Sequence, residues 1–143
     1  KKYLLSEDIL MTETLSSLLA EFLKTPHSQS PSRGVHCSAI SDGKNMQLLA
    51  DDIGRHNTLD KLMGFILLSD PSLKPSIMLT TGRISSEMLQ KSARMGISVV
   101  ISLTSPNTVT VALAKEKGMT LIGYARGSRF NVYSHPERFT DLS

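Results

Sequence analysis

The sequence holds a single cysteine, Cys37, among its 143 residues. That excludes an internal disulfide and any metal site built from several thiolates, and it favours a reducing compartment, with the cytoplasm as the expected location. No apolar run approaches the 18 residues of a membrane span, and the opening Lys1-Lys2-Tyr3-Leu4-Leu5 lacks the apolar core and cleavage site of a secretory leader. Neither a membrane segment nor an exported protein is expected. A block of basic residues is missing too. The formal charge of +3 and a pI of about 9.1 tilt the surface toward anionic partners but fall far short of a DNA-binding protein. A phosphorylated small molecule fits that balance as well as RNA does. The chain also opens without methionine, which raises the expectation of a piece of a longer protein.

What is present describes one domain spanning residues 1–143. Its 40% hydrophobic and 20% charged residues fit a soluble globular chain large enough to bury its own core. From about residue 8 to residue 24, Leu15, Leu18, Leu19, Phe22 and Leu23 recur at helical spacing and put one apolar stripe on a helix. A Ser/Pro loop, residues 25–33, interrupts it with Pro26 and Pro31. An α/β core then occupies residues 34–143. Two short runs, Val35 to Ile40 and Met46 to Ala50, flank Asp42-Gly43 and read as an antiparallel hairpin.

Beyond the hairpin the rhythm alternates between helix and strand. Asn57 is expected to cap a helix through Leu68, with Asp60 imitating a capping box. Ile77 to Thr81 reads as a strand. Ser85 or Ser86 caps a helix to about Met95, and Glu87 suits its positive end. Gly96 stops that helix and Ile97 to Leu103 forms the next strand. Ser105 followed by Pro106 predicts another helix start, Gly118 its end, and Met119 to Tyr124 a last strand. The tail after Ala125 reads as loop with at most one short strand. Short connections of this kind favour right-handed crossovers and a parallel sheet covered by helices on both faces.

Chemistry collects just beyond three strand ends: Asp51 to Asn57, Gly82 to Ser86, and Ala125 to Arg129. Each carries a Gly-Arg pair or its near equivalent: Gly54-Arg55, Gly82-Arg83 and Arg126-Gly127-Ser128-Arg129. Glycine allows close approach to the backbone, arginine offers a planar fork for phosphate or carboxylate, and helix starts supply oriented N–H groups. Parallel strands would bring all three to one edge as an anion site suited to a nucleotide. A structural alternative stands beside each: Gly54 and Gly82 could shape turns, and Arg55 and Arg83 could pair with Asp51, Asp52 or Glu87. Two roles are equally open to His56, ligand contact or a brace against Asp52 or Asp60. His36-Cys37 invites a nucleophile or metal reading, but a small thiol in a strand is more often packed.

The motifs Asp52-Ile53-Gly54-Arg55-His56-Asn57 with Asp60-Lys61, Gly82-Arg83-Ile84-Ser85-Ser86-Glu87-Met88 with Gln90-Lys91, and Gly123-Tyr124-Ala125-Arg126-Gly127 through His135-Pro136-Glu137-Arg138 resemble the FdhD family. These are accessory proteins of formate dehydrogenases. The resemblance covers about residues 32 to 138 and implies a sulfur carrier. Such a protein takes persulfide sulfur from a cysteine desulfurase and passes it to the molybdenum bis(molybdopterin guanine dinucleotide) cofactor, which is cargo. It further implies a three-layer α/β/α fold with a cytidine-deaminase-like mixed sheet, the antiparallel hairpin first and parallel strands after it. A guanine nucleotide contact is implied on Tyr124, Ala125, Arg126, Gly127, Ser128 and Arg129, with Gly82, Arg83, Gly54, Arg55 and His56 as the remaining cofactor-binding candidates. It is compatible with a C2 homodimer, and no DNA or membrane partner is implied.

The family's sulfur-bearing cysteine belongs to a Cys-x-x-Cys loop upstream of this region, and no such motif occurs here. The chain as given is therefore expected to bind without transferring sulfur, and no catalytic residue is assigned, Cys37 included. Ser32-Arg33-Gly34-Val35 also departs from the family's usual Thr-Gly-Gly-x before His36. A zinc deaminase would need His-x-Glu or Cys-x-Glu and Pro-Cys-x-x-Cys; Ser38 follows His36 two residues on, so no zinc is expected. A second function of another class remains open, a non-catalytic nucleotide-binding or scaffolding module.

Overall fold

A computed structural model describes residues 12–24, 36–68, 75–126 and 129–139. Helix α1 (Thr12–Leu23) precedes strands β1 (His36–Ser41) and β2 (Met46–Asp52). Helix α2 (Arg55–Leu68), strand β3 (Ile77–Thr80), helix α3 (Ser86–Arg94), strand β4 (Val99–Ser102), helix α4 (Thr108–Lys117), strand β5 (Thr120–Arg126) and strand β6 (Arg129–Ser134) follow. A 3-10 turn at Pro136–Arg138 ends the described chain's regular structure. The expected helix start near residue 8 and the Ser/Pro loop lie outside the described residues.

One six-stranded sheet runs in the order β2-β1-β3-β4-β5-β6. β1 is antiparallel to both β2 and β3, β3 to β5 are parallel, and β6 is antiparallel to β5. The mixed sheet opened by a hairpin is thus present. β3 (Ile-Met-Leu-Thr) and β4 (Val-Val-Ile-Ser) are buried at every position, which explains why they read as unbroken apolar runs. Alternation along the strands feeds two cores. Ile77, Leu79, Val99, Ile101 and Ile122 pack with Leu15, Leu18, Leu19 and Phe22 of α1. Met78, Val100 and Leu121 face Leu59 and Leu62 of α2, Met88 and Leu89 of α3, and Ala114 of α4. The result is three layers, α1 on one face and the other three helices opposite.

The local chemistry explains the boundaries and several departures from the sequence reading. The hairpin turn closes because Asp42 Oδ1 accepts the Lys44 and Asn45 N–H groups, both at 2.9 Å, and Gly43 adopts φ +100°. Helix α2 starts two residues before Asn57. Gly54 C=O accepts the Asn57 and Thr58 N–H groups, while Asp52 holds Gly54 N–H at 3.1 Å. Asp60 makes no capping box and instead meets Lys91 at 3.0 Å. Ser85 caps α3 as expected. For α4 the cap is Asn107, whose Oδ1 accepts Thr110 N–H at 2.8 Å, and Pro106 precedes it. The tail forms a full strand, β6, paired antiparallel with β5 across two register shifts.

The end of α4 is sealed by that tail. Gly118 takes φ +77°, His135 Nε2 lies 2.8 Å from Lys115 O, and Arg138 Nη1 donates to Gly118 O at 2.6 Å. A cationic donor such as Arg138 at a helix C-terminus satisfies its last carbonyls and opposes its dipole. His135 Nδ1 also meets Glu137 Oε2, and this bond is the main reason the Glu137 carboxyl is held below the usual carboxylate range. Its contribution to stability is present above the ordinary glutamate pKa and lost as pH falls through the lowered folded value. Arg138→Ala should destabilise the domain by about 1.5 to 3 kcal/mol, read from urea midpoints. Glu137→Gln should remove part of the stability lost on acidification below about pH 4.

Candidate functional site

The parallel strands end on one edge, and the antiparallel β1 brings its beginning there. Register makes this concrete: Ser38 pairs with Thr80, Thr80 with Ser102, and Ile101 with Ile122. Asp52 at the end of β2 pairs with His36 at the start of β1. The segments after β2, β3 and β5 therefore share one edge, as their sequence positions suggested. Ligands of open α/β sheets are usually held at this edge.

Buried hydroxyls fix its geometry. Ser38 Oγ lies 2.8 Å from Thr58 Oγ1 and donates to Thr80 Oγ1 at 2.9 Å. Thr58 Oγ1 donates to Arg55 O at 2.7 Å, and Gly82 N–H reaches Thr80 Oγ1 at 3.2 Å. Cys37 N–H donates to Thr81 Oγ1 at 3.1 Å. On the other side, Ser102 Oγ donates to Gly82 O at 2.8 Å and lies 2.9 Å from Thr104 Oγ1. Tyr124 N–H then donates to Thr104 O at 3.1 Å. One row of contacts thus runs from the start of α2 across β1, β3 and β4 to β5. These hydroxyl residues escaped the sequence reading; for Thr80 and Ser102 the signal was a hydroxyl residue closing an apolar strand.

At the α2 end, Gly54 permits the turn that Asp52 organises. Asp52 accepts from Gly54 N–H, pairs with Lys61 at 3.0 Å and accepts from Asn57 Nδ2 at 3.2 Å. These partners, the Gly54 N–H first, hold its carboxyl far below the usual range. The Asp52 carboxylate is paired with Lys61, which leaves Arg55 outside that ion pair. Arg55 lies against Gly82: a Cβ on Gly82 would sit 3.2 Å from Arg55 Cβ and 3.1 Å from His36 Nδ1. Both backbone groups of Gly82 are engaged by hydroxyls, so it contributes the space it leaves. His36 Nδ1 and Arg55 Nε are both buried without a hydrogen-bond partner, a state that costs about 1 to 3 kcal/mol per group. The side chain of His56 lies outside the described residues.

Arg83 follows Gly82 and is exposed, with no ion pair among the described residues. At the β5 end, Tyr124 is half exposed and holds φ +53°, where a bulge interrupts pairing between Gly123 and Arg126. A bulky residue in that region carries strain of about 1 to 3 kcal/mol, and His135 shares it at φ +47°. Ala125 is buried and Arg129 is exposed. The Arg126 side chain, Gly127 and Ser128 lie outside the described residues. Gly123 is clamped: an added Cβ would sit 2.8 Å from Thr104 O and Pro106 Cδ and 2.9 Å from Tyr133 Cε2. Pro106 and Tyr133 also wall a largely apolar groove with Asn107, Val111 and Lys115. Cys37 is fully buried in the α1-side core. Among the described residues, no group of three or more His, Cys, Asp or Glu side chains could hold a metal ion. No helix among them is long and apolar enough to cross a membrane.

The fold and edge define a three-layer α/β domain with exposed arginines and a strained tyrosine at the carboxyl ends of its parallel strands. The chain belongs to the FdhD/NarQ family, whose family model matches residues 3–140. It is 36% identical over 137 residues to the Sulfur carrier protein FdhD of Staphylococcus aureus strain MRSA252, covering 96% of this chain and 52% of that protein. Identity to the protein of that name from strain Newman is 37% over the same length and coverage. A crystal structure from Desulfotalea psychrophila, named as a formate dehydrogenase accessory protein, superposes with a TM-score of 0.81 at 37% identity, covering 94% of this chain and 58% of that one. The chain spans about half the length of the curated relatives it matches.

Gly123→Ala should destabilise the domain by about 1 to 3 kcal/mol, because a backbone carbonyl blocks the new methyl group. Gly82→Ala should cost less, since two side chains can give way. Urea denaturation of both variants checks the order, and the reverse order would contradict this account of the edge.

Proposed function

We propose that this domain is the cofactor-binding half of a sulfur carrier protein serving formate dehydrogenase. In this reading the cargo is the molybdenum bis(molybdopterin guanine dinucleotide) cofactor, which receives persulfide sulfur originating from a cysteine desulfurase. The domain acts in the cytoplasm, and a C2 homodimer would offer one site to each guanine nucleotide arm. The observation that carries the proposal is the shared edge: Arg55, Arg83, Tyr124 and Arg129 all stem from the carboxyl side of the sheet, in a family whose relatives are named Sulfur carrier protein FdhD.

The chemistry asked of this half is binding and orientation. Arg83 and Arg129 offer charged forks to phosphate. Tyr124 stems half exposed from the same edge, one residue after the Gly123 that Pro106 and Tyr133 crowd; those two residues wall an apolar groove, and flat apolar walls with a few polar groups suit a heteroaromatic base. Sulfur transfer itself belongs to a cysteine persulfide carried elsewhere in the whole protein. Cys37, sealed in the core, has no access to cargo.

Titration of guanosine diphosphate into the chain and into an Arg126→Ala, Arg129→Ala variant tests this reading. Loss of one charge-assisted phosphate contact should weaken binding by about 1.5 to 3 kcal/mol. Equal affinity in both proteins would remove the Tyr124 to Arg129 loop from the site.

A further inference from the structure

His135 stands where strand, turn and helix meet, far from the arginines of the sheet edge. It follows β6, precedes the turn Pro136–Arg138 as its cap residue, and sets its ring against the last turn of α4. Its backbone is held at φ +47°, and Thr120 Oγ1 of β5 donates to its C=O at 2.8 Å. The side chain is only 13% exposed. Both ring nitrogens are engaged: Nε2 lies 2.8 Å from Lys115 O, and Nδ1 lies 2.5 Å from Glu137 Oε2.

Each of those partners can only accept. A backbone carbonyl has no proton to give, and an ionised carboxylate has none either. A neutral imidazole owns one N–H, so it serves one acceptor and turns a lone pair toward the other; the imidazolium alone donates to both. The surroundings suit a positive charge, because the last carbonyls of a helix carry its negative end. The charged groups on the packed elements are Lys115, Glu116 and Lys117 of α4 and Glu137 and Arg138 of the turn, while the adjoining ends of β5 (Thr120, Leu121) and β6 (Tyr133, Ser134) carry none. Arg138 is directed elsewhere, to Gly118 O and Thr120 Oγ1.

We propose that His135 is a proton-operated clasp: with both ring nitrogens protonated it fastens the tail turn to the end of α4, and loss of one proton undoes one of its two bonds. What it fastens is defined by the fold. Asn107, Val111 and Lys115 of α4 line the apolar groove together with Tyr133, two residues before the clasp. Beyond the turn, Phe139 is buried in the α1-side core and stacks on Phe130 with ring centroids 5.9 Å apart. One proton thus sets how firmly the two sides of the groove are joined and how firmly Phe139 is seated. The sign follows from linkage: a folded state that favours the proton gains stability in full below the ordinary histidine range, roughly pH 6.5, and loses it as pH rises. Glu137 sets the opposite limit, since its contribution is lost on acidification. The clasp is complete only between the two.

Nitrogen-15 spectra of the full chain labelled at histidine read the ring directly. At about pH 7.5, where an unpaired histidine has lost a proton, His135 should still show two protonated ring nitrogens, and the Lys115 and Tyr133 amide resonances should titrate with its midpoint. Urea unfolding gives a second measure through His135→Asn, a side chain that tolerates positive φ and takes up no proton. The unaltered chain should exceed the variant in urea midpoint by a margin that shrinks as pH rises from about 6 to about 9; the remaining histidines are common to both and cancel. A singly protonated His135 ring at about pH 7.5, or a margin that does not change with pH, would overturn the clasp.

Discussion

Hydrogen bonds from buried hydroxyls to the ends of β1, β3 and β4 are the constraint on which the rest depends. Ser38, Thr58 and Thr80 join helix α2 to two strands, and Ser102 extends the link through Gly82 O toward Thr104 and β5. A buried hydroxyl is retained in an otherwise aliphatic core only when its bonds are satisfied. Here they are satisfied by the backbone of the very loops that carry the arginines. Loops would otherwise be the least fixed part of an α/β domain. The hydroxyl row gives this edge the rigidity of the sheet.

On that fixed row, glycines decide what can come close. Gly123 brings the β4–α4 loop and Tyr133 against β5, and Gly82 gives room to His36 and Arg55. Tyr124, with its positive φ, and the buried His36 Nδ1 and Arg55 Nε lie at this edge. The opposite end of α4, by contrast, is closed by Gly118, His135 and Arg138.

Much of this was legible in the sequence. The continuous runs at Ile77 and Val99 announced strands buried on both faces, Asp42-Gly43 announced the hairpin, and the Gly-Arg pairs after successive strands announced the edge. Three things were hidden for physical reasons. Ser38, Thr58 and Thr80 act over separations of 20 to 42 residues, which local patterns do not encode. The start of α2 was misplaced because Asp52 and Gly54 build the turn from outside the helix, whereas Asn57 looked like a cap. β6 was underrated because its pairing crosses register shifts beside Tyr124, whose positive φ is uncharacteristic of tyrosine. His36 was noticed for its cysteine neighbour, and only the fold gave it Gly82 and Arg55 as surroundings.

A crystal structure of the chain with guanosine diphosphate would test the central claim, that the carboxyl edge of β3 to β5 is the ligand site. The account predicts the diphosphate lying across Gly82, Thr104 and Tyr124, with Tyr124 retaining its positive φ. Nucleotide bound at the opposite edge, near Ser76 and Ser98, or on the α1 face, would contradict it.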